Sequence, residues 1–233
     1  MPNYVANVVK MDGITKLPLF REEFDGRCFD FNKLIPMPES LKITAGSIEN
    51  LAVEAALRKL KKSYSPMSNI QLSNMPDKEY ENRIKSNGKS VDELEEMGLQ
   101  YISNKLLYGH STWYDWSIEN WGTKWNALEG YEIDENTISF NTAWSSPETI
   151  FIMLSEKYPD KFVEHWWADE DIGNNSGYEV YQNGEIIYGG YNEPYSTEAY
   201  NTYVKCWRES DCLYMDKEGN LNRKDCSECD CCG

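Results

Sequence analysis

Apolar residues alternate from the first legible segment. In "NYVANVVKMDG" (3–13), Val5, Asn7 and Val9 point one way and Tyr4, Ala6 and Val8 the other. Both sides are mostly apolar, which predicts a central strand, and Asp12-Gly13 is a turn signal. "CFDFNKLIPMPE" (28–39) alternates Cys28 and Asp30 against Phe29 and Phe31. It breaks at Pro36 and Pro38, which cannot donate to a ladder. The period then changes to 3.6. "SIENLAVEAALRKLKKS" (47–63) predicts a helix capped by Ser47, with Glu49 in its first turn and Arg58 to Lys62 at its C-terminal end. Residues 63–76 read as a polar linker, and Pro76-Asp77 opens a short helix through Arg83. "SVDELEEMGLQYISNKLLYG" (90–109) predicts a longer one, with Ser90 and Glu93 as a capping box and Gly109 as its stop.

"WYDWSIENWGTKW" (113–125) holds four of the eight tryptophans. Tyr114, Trp116 and Ile118 alternate with Asp115, Ser117 and Glu119, which predicts a half-buried strand turned by Asn120 to Gly122. "NTISFNTAW" (136–144) is a strand by its β-branched and aromatic content. "SSPETIFIMLSEKYP" (145–159) is a helix, capped by Ser145 or Ser146 and stopped at Pro159. Strands follow at 161–171 and 177–190, the latter folded at Asn183-Gly184 into a hairpin, and a last helix spans 197–210. The order implies an α+β fold with a sheet covered by helices on one face. A domain over 1–190 with a helical insertion at about 45–109 is expected, followed by an extension over 191–233.

Composition adds asymmetry. The 233 residues carry net charge −16, and positions from 129 onward hold seven basic and 22 acidic side chains. Such a face repels phosphate backbones and attracts basic partners. No direct nucleic-acid binding is expected. An aromatic fraction of 13% supports a packed core, and no apolar run reaches membrane-span length. "MPNYVANVV" lacks the features of a secretory signal, so a cytoplasmic location is expected. Six of the seven cysteines crowd the C-terminal part: Cys206, Cys212, Cys226, Cys229, Cys231 and Cys232.

"PNYVANVVKMDG", "FDFNKLIPMPESL", "YDWSIENWGTKWNA", "FNTAWSSP" and "LSEKYPDKFVEHWWADEDIGNNSGYEVYQNG" resemble, in order, the YubB-type ferredoxin-like proteins of bacteriophages and conjugative plasmids. The resemblance runs from Pro2 to about Gly184 and leaves the cysteine tail outside. It implies a βαββαβ topology and no iron–sulfur cluster. It brings no catalytic residue to carry over. It implies a mobile genetic element acting in the cytoplasm of a bacterial host.

The candidate chemistry follows from these readings. The tryptophans are expected in the core, because the surrounding charge is wrong for stacking bases. No phosphate-binding loop, dinucleotide fingerprint or nucleophile elbow occurs, and His110 and His165 have no ligand or nucleophile at a recognisable spacing. The leading expectation is a non-enzymatic protein that binds and inhibits a host protein. Its target would be a defence or nucleic-acid-handling factor with a basic groove, such as a CRISPR effector. Glu132, Asp134, Glu135, Asp169, Glu170 and Asp171 are the contact candidates. One alternative is a small-ligand binder or metal-dependent enzyme using Asp169 and Asp171, which would share a strand face. The other is a zinc-stabilised assembly module. No cofactor is expected, save that the cysteines of the C-terminal part are candidate zinc ligands through the Cys226-x2-Cys229 half-site. Oligomeric state is not legible.

Overall fold

The structure is a computed structural model that describes residues 3–24, 26–63, 75–208, 210–225 and 227. The chain divides into two compact units. Unit 1 comprises Met1–Pro36 and Ser117–Gly233, and unit 2, Met37–Trp116, interrupts it in sequence. Among the described residues no helix is long and apolar enough to cross a membrane.

Unit 1 is built on strands β1 (Tyr4–Lys10), β4 (Leu128–Asp134), β5 (Thr137–Ala143), β6 (Val163–Asp169), β7 (Ser176–Gln182) and β8 (Glu185–Tyr191). They form one antiparallel sheet in the order β4-β5-β1-β6-β7-β8. Helices α5 (Glu148–Lys157) and α6 (Thr197–Trp207) pack on it. Two small hairpins, β2 (Phe20–Glu23) with β3 (Gly26–Phe29), and β9 (Leu213–Met215) with β10 (Leu221–Arg223), complete the strands. The two-sided apolar pattern of β1 places it inside the sheet, buried from Val5 to Val9.

The helices do not share one face, which corrects the expectation from sequence. Phe151 of α5 packs against Phe140, His165 and Tyr181. Tyr203, Cys206 and Trp207 of α6 pack with Ala6, Val8, Ala168 and Trp166, the alternate residues of the same strands. Strands that are apolar on both sides need cover on both, and one helix layer cannot supply it. On the α5 side Phe29, Phe31, Trp121, Phe140 and Phe151 form a continuous aromatic core with centroids 5.5–6.4 Å apart. The β7–β8 connection is the predicted hairpin: Asn183 and Gly184 both have positive φ, at 50° and 81°, as a type I′ turn requires.

Residues 113–121 are helix α4 (Trp113–Trp121), not a strand. The alternation of Tyr114, Trp116 and Ile118 competes with a second pattern. Trp116, Ser117 and Trp121 are buried while Tyr114, Asp115, Ile118 and Glu119 are exposed, which is a 3.6-residue stripe. Helix α5 also begins differently. Its N-cap is Pro147 without a side-chain cap, because Ser145 Oγ donates instead to the carbonyl of Gly122 at 2.6 Å.

Unit 2 holds α1 (Ile48–Ser63), α2 (Asp77–Asn87) and α3 (Val91–Tyr108). The Ser90–Glu93 capping box opens α3 and Gly109, in the left-handed region, ends it. Leu51, Ala52, Ala55, Leu94 and Tyr101 are its core. Helices α1 and α3 touch at Gly98, where an added Cβ would lie 1.9 Å from the Ala52 carbonyl oxygen. Glycine is therefore required by backbone approach rather than by φ. Gly98→Val should push the helices apart and destabilise unit 2 by about 1–3 kcal/mol or more. Chemical denaturation followed by far-ultraviolet circular dichroism measures this. An unchanged midpoint would show that the close crossing is not a constraint.

Candidate interaction surface

The six acidic candidates do not lie together. Glu132, Asp134 and Glu135 occupy the end of β4 and its turn into β5, beside the Lys10 end of β1. Asp169 pairs in register with Val5, and the Glu170 N–H donates to the Tyr4 carbonyl, both at the opposite end of β1. At ~3.4 Å per residue, the length of that strand separates the two groups by roughly 20 Å. Most of them also have local partners. Glu132 is paired with the Arg27 guanidinium. Glu135 lies 2.8 Å from Lys16 Nζ and raises the lysine's pKa. Asp134 accepts the Asn136 N–H at 2.7 Å and fixes the turn.

Asp169 is buried, so it is not an outward contact. Its Oδ1 accepts the Asp171 N–H at 2.9 Å and the Asn3 amide at 3.4 Å, and its Oδ2 accepts the Asn175 amide at 3.3 Å. Strand β6 ends at Asp169, and Asp171 stands exposed in the following loop. The two carboxylates therefore do not share a strand face as the sequence led us to expect. Asp169 ties down the 170–175 loop, and Glu170 and Asp171 are the exposed members of the trio. Asp169→Ala should cost about 1–3 kcal/mol by stranding the Asp171 N–H and two amides. Urea denaturation measures it, and a loss below a few tenths of a kcal/mol would remove this structural role.

The cysteines are also dispersed. Cys206 is buried on the sheet-facing side of α6, where desolvation pushes its thiol pKa up to about 12. Cys212 is disulfide-bonded and packs in a separate cluster with Ile172 and Tyr200. Cys226, Cys229, Cys231 and Cys232 lie outside the described residues. Among the described residues no three His, Cys, Asp or Glu side chains form a group suited to a metal ion.

The tryptophans divide. Trp116, Trp121 and Trp167 are buried, and Trp121 Nε1 donates to the Ile35 carbonyl at 2.9 Å. Trp144 is exposed, with φ 72°, held by its N–H on the Asn3 carbonyl. On the α6 side an aromatic row crosses three strands: Trp166 stacks on Tyr178 at 4.7 Å, and Tyr178 meets Tyr188 edge-on at 6.1 Å. Lys205 Nζ sits 3.8 Å from the Trp166 ring centroid. Burial and the Glu164 carboxylate, which accepts the Tyr178 hydroxyl proton at 3.0 Å, raise that tyrosine's pKa to about 12.

The row ends at Tyr188 on β8, the open edge of the sheet. Tyr188 and Tyr191 are about 70% exposed, Tyr191 packs edge-on against Trp167 at 5.2 Å on the α5 side of that edge, and Tyr195 follows in the loop to α6. Glu185, Glu193 and Glu198 are exposed along the same stretch. The opposite edge is guarded. Strand β4 carries two register shifts and is covered by β3, whose Cys28 lies so close that an added Cβ on Gly130 would come within 2.6 Å of its sulfur. Sequence reading missed the tyrosine–glutamate strip because alternation shows which residues share a face, not which edge stays open.

His165 belongs to the core. It is fully buried between Phe151, Trp167 and Tyr181. Asn7 Nδ2 donates to Thr142 Oγ1 at 2.9 Å and to the Val5 carbonyl at 2.8 Å. Its Oδ1 therefore faces His165 Nε2 at 3.0 Å and requires that nitrogen to carry the proton. Among the described residues Nδ1 finds no partner, and burial holds the imidazole pKa well below 6.5. Across the strand pair stands buried Glu179, raised by desolvation and bonded to the Tyr181 hydroxyl.

A depressed histidine pKa contributes stability that is full above the unfolded value of ~6.5 and is lost as pH falls below it, by up to ~1.4 kcal/mol per pH unit. Glu179, whose pKa is raised, acts in the opposite sense, so a variant comparison isolates the histidine. Urea denaturation between pH 8 and pH 5 should show a smaller acid loss for His165→Gln than for the parent. Parallel profiles would overturn this assignment.

Residues 120–208 match the family model described as a ferredoxin-like domain in Api92-like protein. The chain is similar to that family over this segment, which spans β4 to α6. Over 89 residues it is 28% identical to the uncharacterized protein YubB of Escherichia coli K12, a match covering 35% of this chain. The match spans 59% of the length of that curated relative. A crystal structure of the protein api92 from Yersinia pseudotuberculosis aligns with 83% of this chain and 99% of its own. The TM-score is 0.37 and the identity 10%, too loose to carry details of the fold across.

Proposed function

We propose that this is a non-enzymatic accessory protein of a mobile genetic element. In this reading it binds and inhibits a host protein in the bacterial cytoplasm, through an acidic surface. The target is a defence or nucleic-acid-handling factor with a basic groove. The strand order β4-β5-β1-β6, with α5 connecting β5 to β6, supports a βαββαβ ferredoxin-like unit at its centre. Strands β7 and β8 and helix α6 extend that unit.

The observation that carries the functional reading is the strip along β8 and the loop after it. Exposed Glu185 and Glu193 lie there among exposed Tyr188, Tyr191 and Tyr195, with Glu198 following in the first turn of α6, in the part of the chain that holds net −15. Carboxylates attract a basic surface over distance, and tyrosine rings provide broad, low-entropy contact area and accept arginine or lysine over their faces. Glu170 and Asp171 extend the anionic field, whereas Asp169 supports the loop that presents them.

The full chain immobilised in host lysate should retain a basic protein at low salt and release it as salt rises, because the Debye length shrinks from about 10 Å at 0.1 M to about 3 Å at 1 M. Glu185→Lys with Glu193→Lys should weaken binding of the purified partner by about tenfold, equivalent to ~1.4 kcal/mol. Retention of no partner at low salt, or binding indifferent to both salt and these substitutions, would sink the proposal.

A further inference from the structure

Unit 2 carries a second surface that the acidic strip does not explain. Helices α1 and α3 run antiparallel, with Lys59 Nζ 2.6 Å from Glu95 and the close contact at Gly98 between them. One face of this pair is the core described above. The other is a groove of about 500 Å³ whose floor includes Val53 and Leu57 from α1 and Ile102 and Leu106 from α3. Leu106 is 81% exposed, and Leu99 continues the same stripe about two turns earlier. Leu99, Ile102 and Leu106 follow i, i+3, i+7 spacing, a second apolar stripe in addition to the buried Leu94, Gly98 and Tyr101.

We infer that this groove docks one amphipathic helix of a partner protein, with an apolar stripe flanked by lysine or arginine. The shape favours a helix, because two antiparallel helices with aligned aliphatic rows form the seat into which a third lays its own i, i+3, i+4, i+7 residues. From Glu49 to Leu57 the α1 wall is about 12 Å long, or just over two helical turns. The charge selects basic flanks. Glu49 and Asp115 stand at the rim, Glu54 is already paired with Arg58, and Lys105 is the rim's lysine. None of its lining residues belongs to the β8 strip, so the inference does not depend on the proposed function.

The test uses the full chain and three synthetic peptides of roughly 18 residues, about 27 Å as a helix. The first places leucines at helical stripe positions and lysines elsewhere. The second scrambles that composition to break the stripe. The third keeps the stripe and replaces lysine with glutamate. Fluorescence anisotropy should show the first peptide binding at least about tenfold more tightly than either of the others. Leu106→Ser with Val53→Ser should lower its affinity by a similar factor. Leu106 is exposed and Val53 is partly buried against the unit 2 core, so an unchanged thermal melt is needed to show that the loss is not one of folding. Leu107→Ser, also exposed on α3 but outside the groove lining, should bind as the parent does. Equal binding of the scrambled peptide, full affinity in the double variant, or no binding of the striped peptide would overturn the inference. Loss on Glu185→Lys with Glu193→Lys, with the groove variant unaffected, would overturn it in favour of the β8 strip.

Discussion

Burial of β1 on both faces governs the rest of unit 1. A strand with no solvent side must have its backbone groups paired on both edges and its side chains covered above and below. Strands β5 and β6 supply the pairing, α6 packs on one face of β1, and the other face lies on the side of α5, which packs over the neighbouring strands β6 to β8. The strand's one interior polar residue, Asn7, is admitted because its amide is met on all sides, by Val5, Thr142 and His165. That network defines the tautomer of His165, and burial keeps the ring neutral. The core polar groups are thereby committed to holding strands in register.

The two sheet edges show how that surface is organised. At β4, bulges, the Arg27–Glu132 pair and a covering hairpin leave little backbone for another chain to meet. At β8, aromatic rings and carboxylates stand out into solvent. Excess negative charge discourages association between copies and phosphate polymers alike, and favours partners of opposite charge. The α1/α3 groove uses a different physics, with apolar area as the attraction and charge as the filter.

Much of the architecture was legible in the chain. Periodicity identified α1, α3 and α5, the cap residues of α3, the Asn183-Gly184 turn and the two-sided character of β1. It failed at α4, where Tyr114, Trp116 and Ile118 keep a two-residue period while Trp113, Trp116, Ser117 and Trp121 keep a 3.6-residue one over the same short window. It also missed β4, whose glutamates, glycine and register shifts erase alternation in an edge strand that needs little of it. The acidic candidates were chosen by composition. Composition does not distinguish Asp169, which accepts three hydrogen bonds under the loop, from Asp171 two residues later, which is exposed.

Sequence alone determined the local conformational preferences, the apolar periods and the net charge, because these depend on residues near in the chain or on simple counts. Tertiary structure decided which strand became an edge, which face each helix covered, which carboxylates were drawn inward, and where an apolar stripe remained open. Those outcomes depend on contacts between residues more than a hundred positions apart, such as Asn7 with His165 or Cys28 with Gly130. No local pattern encodes them, since burial is settled only when distant segments compete for the same space.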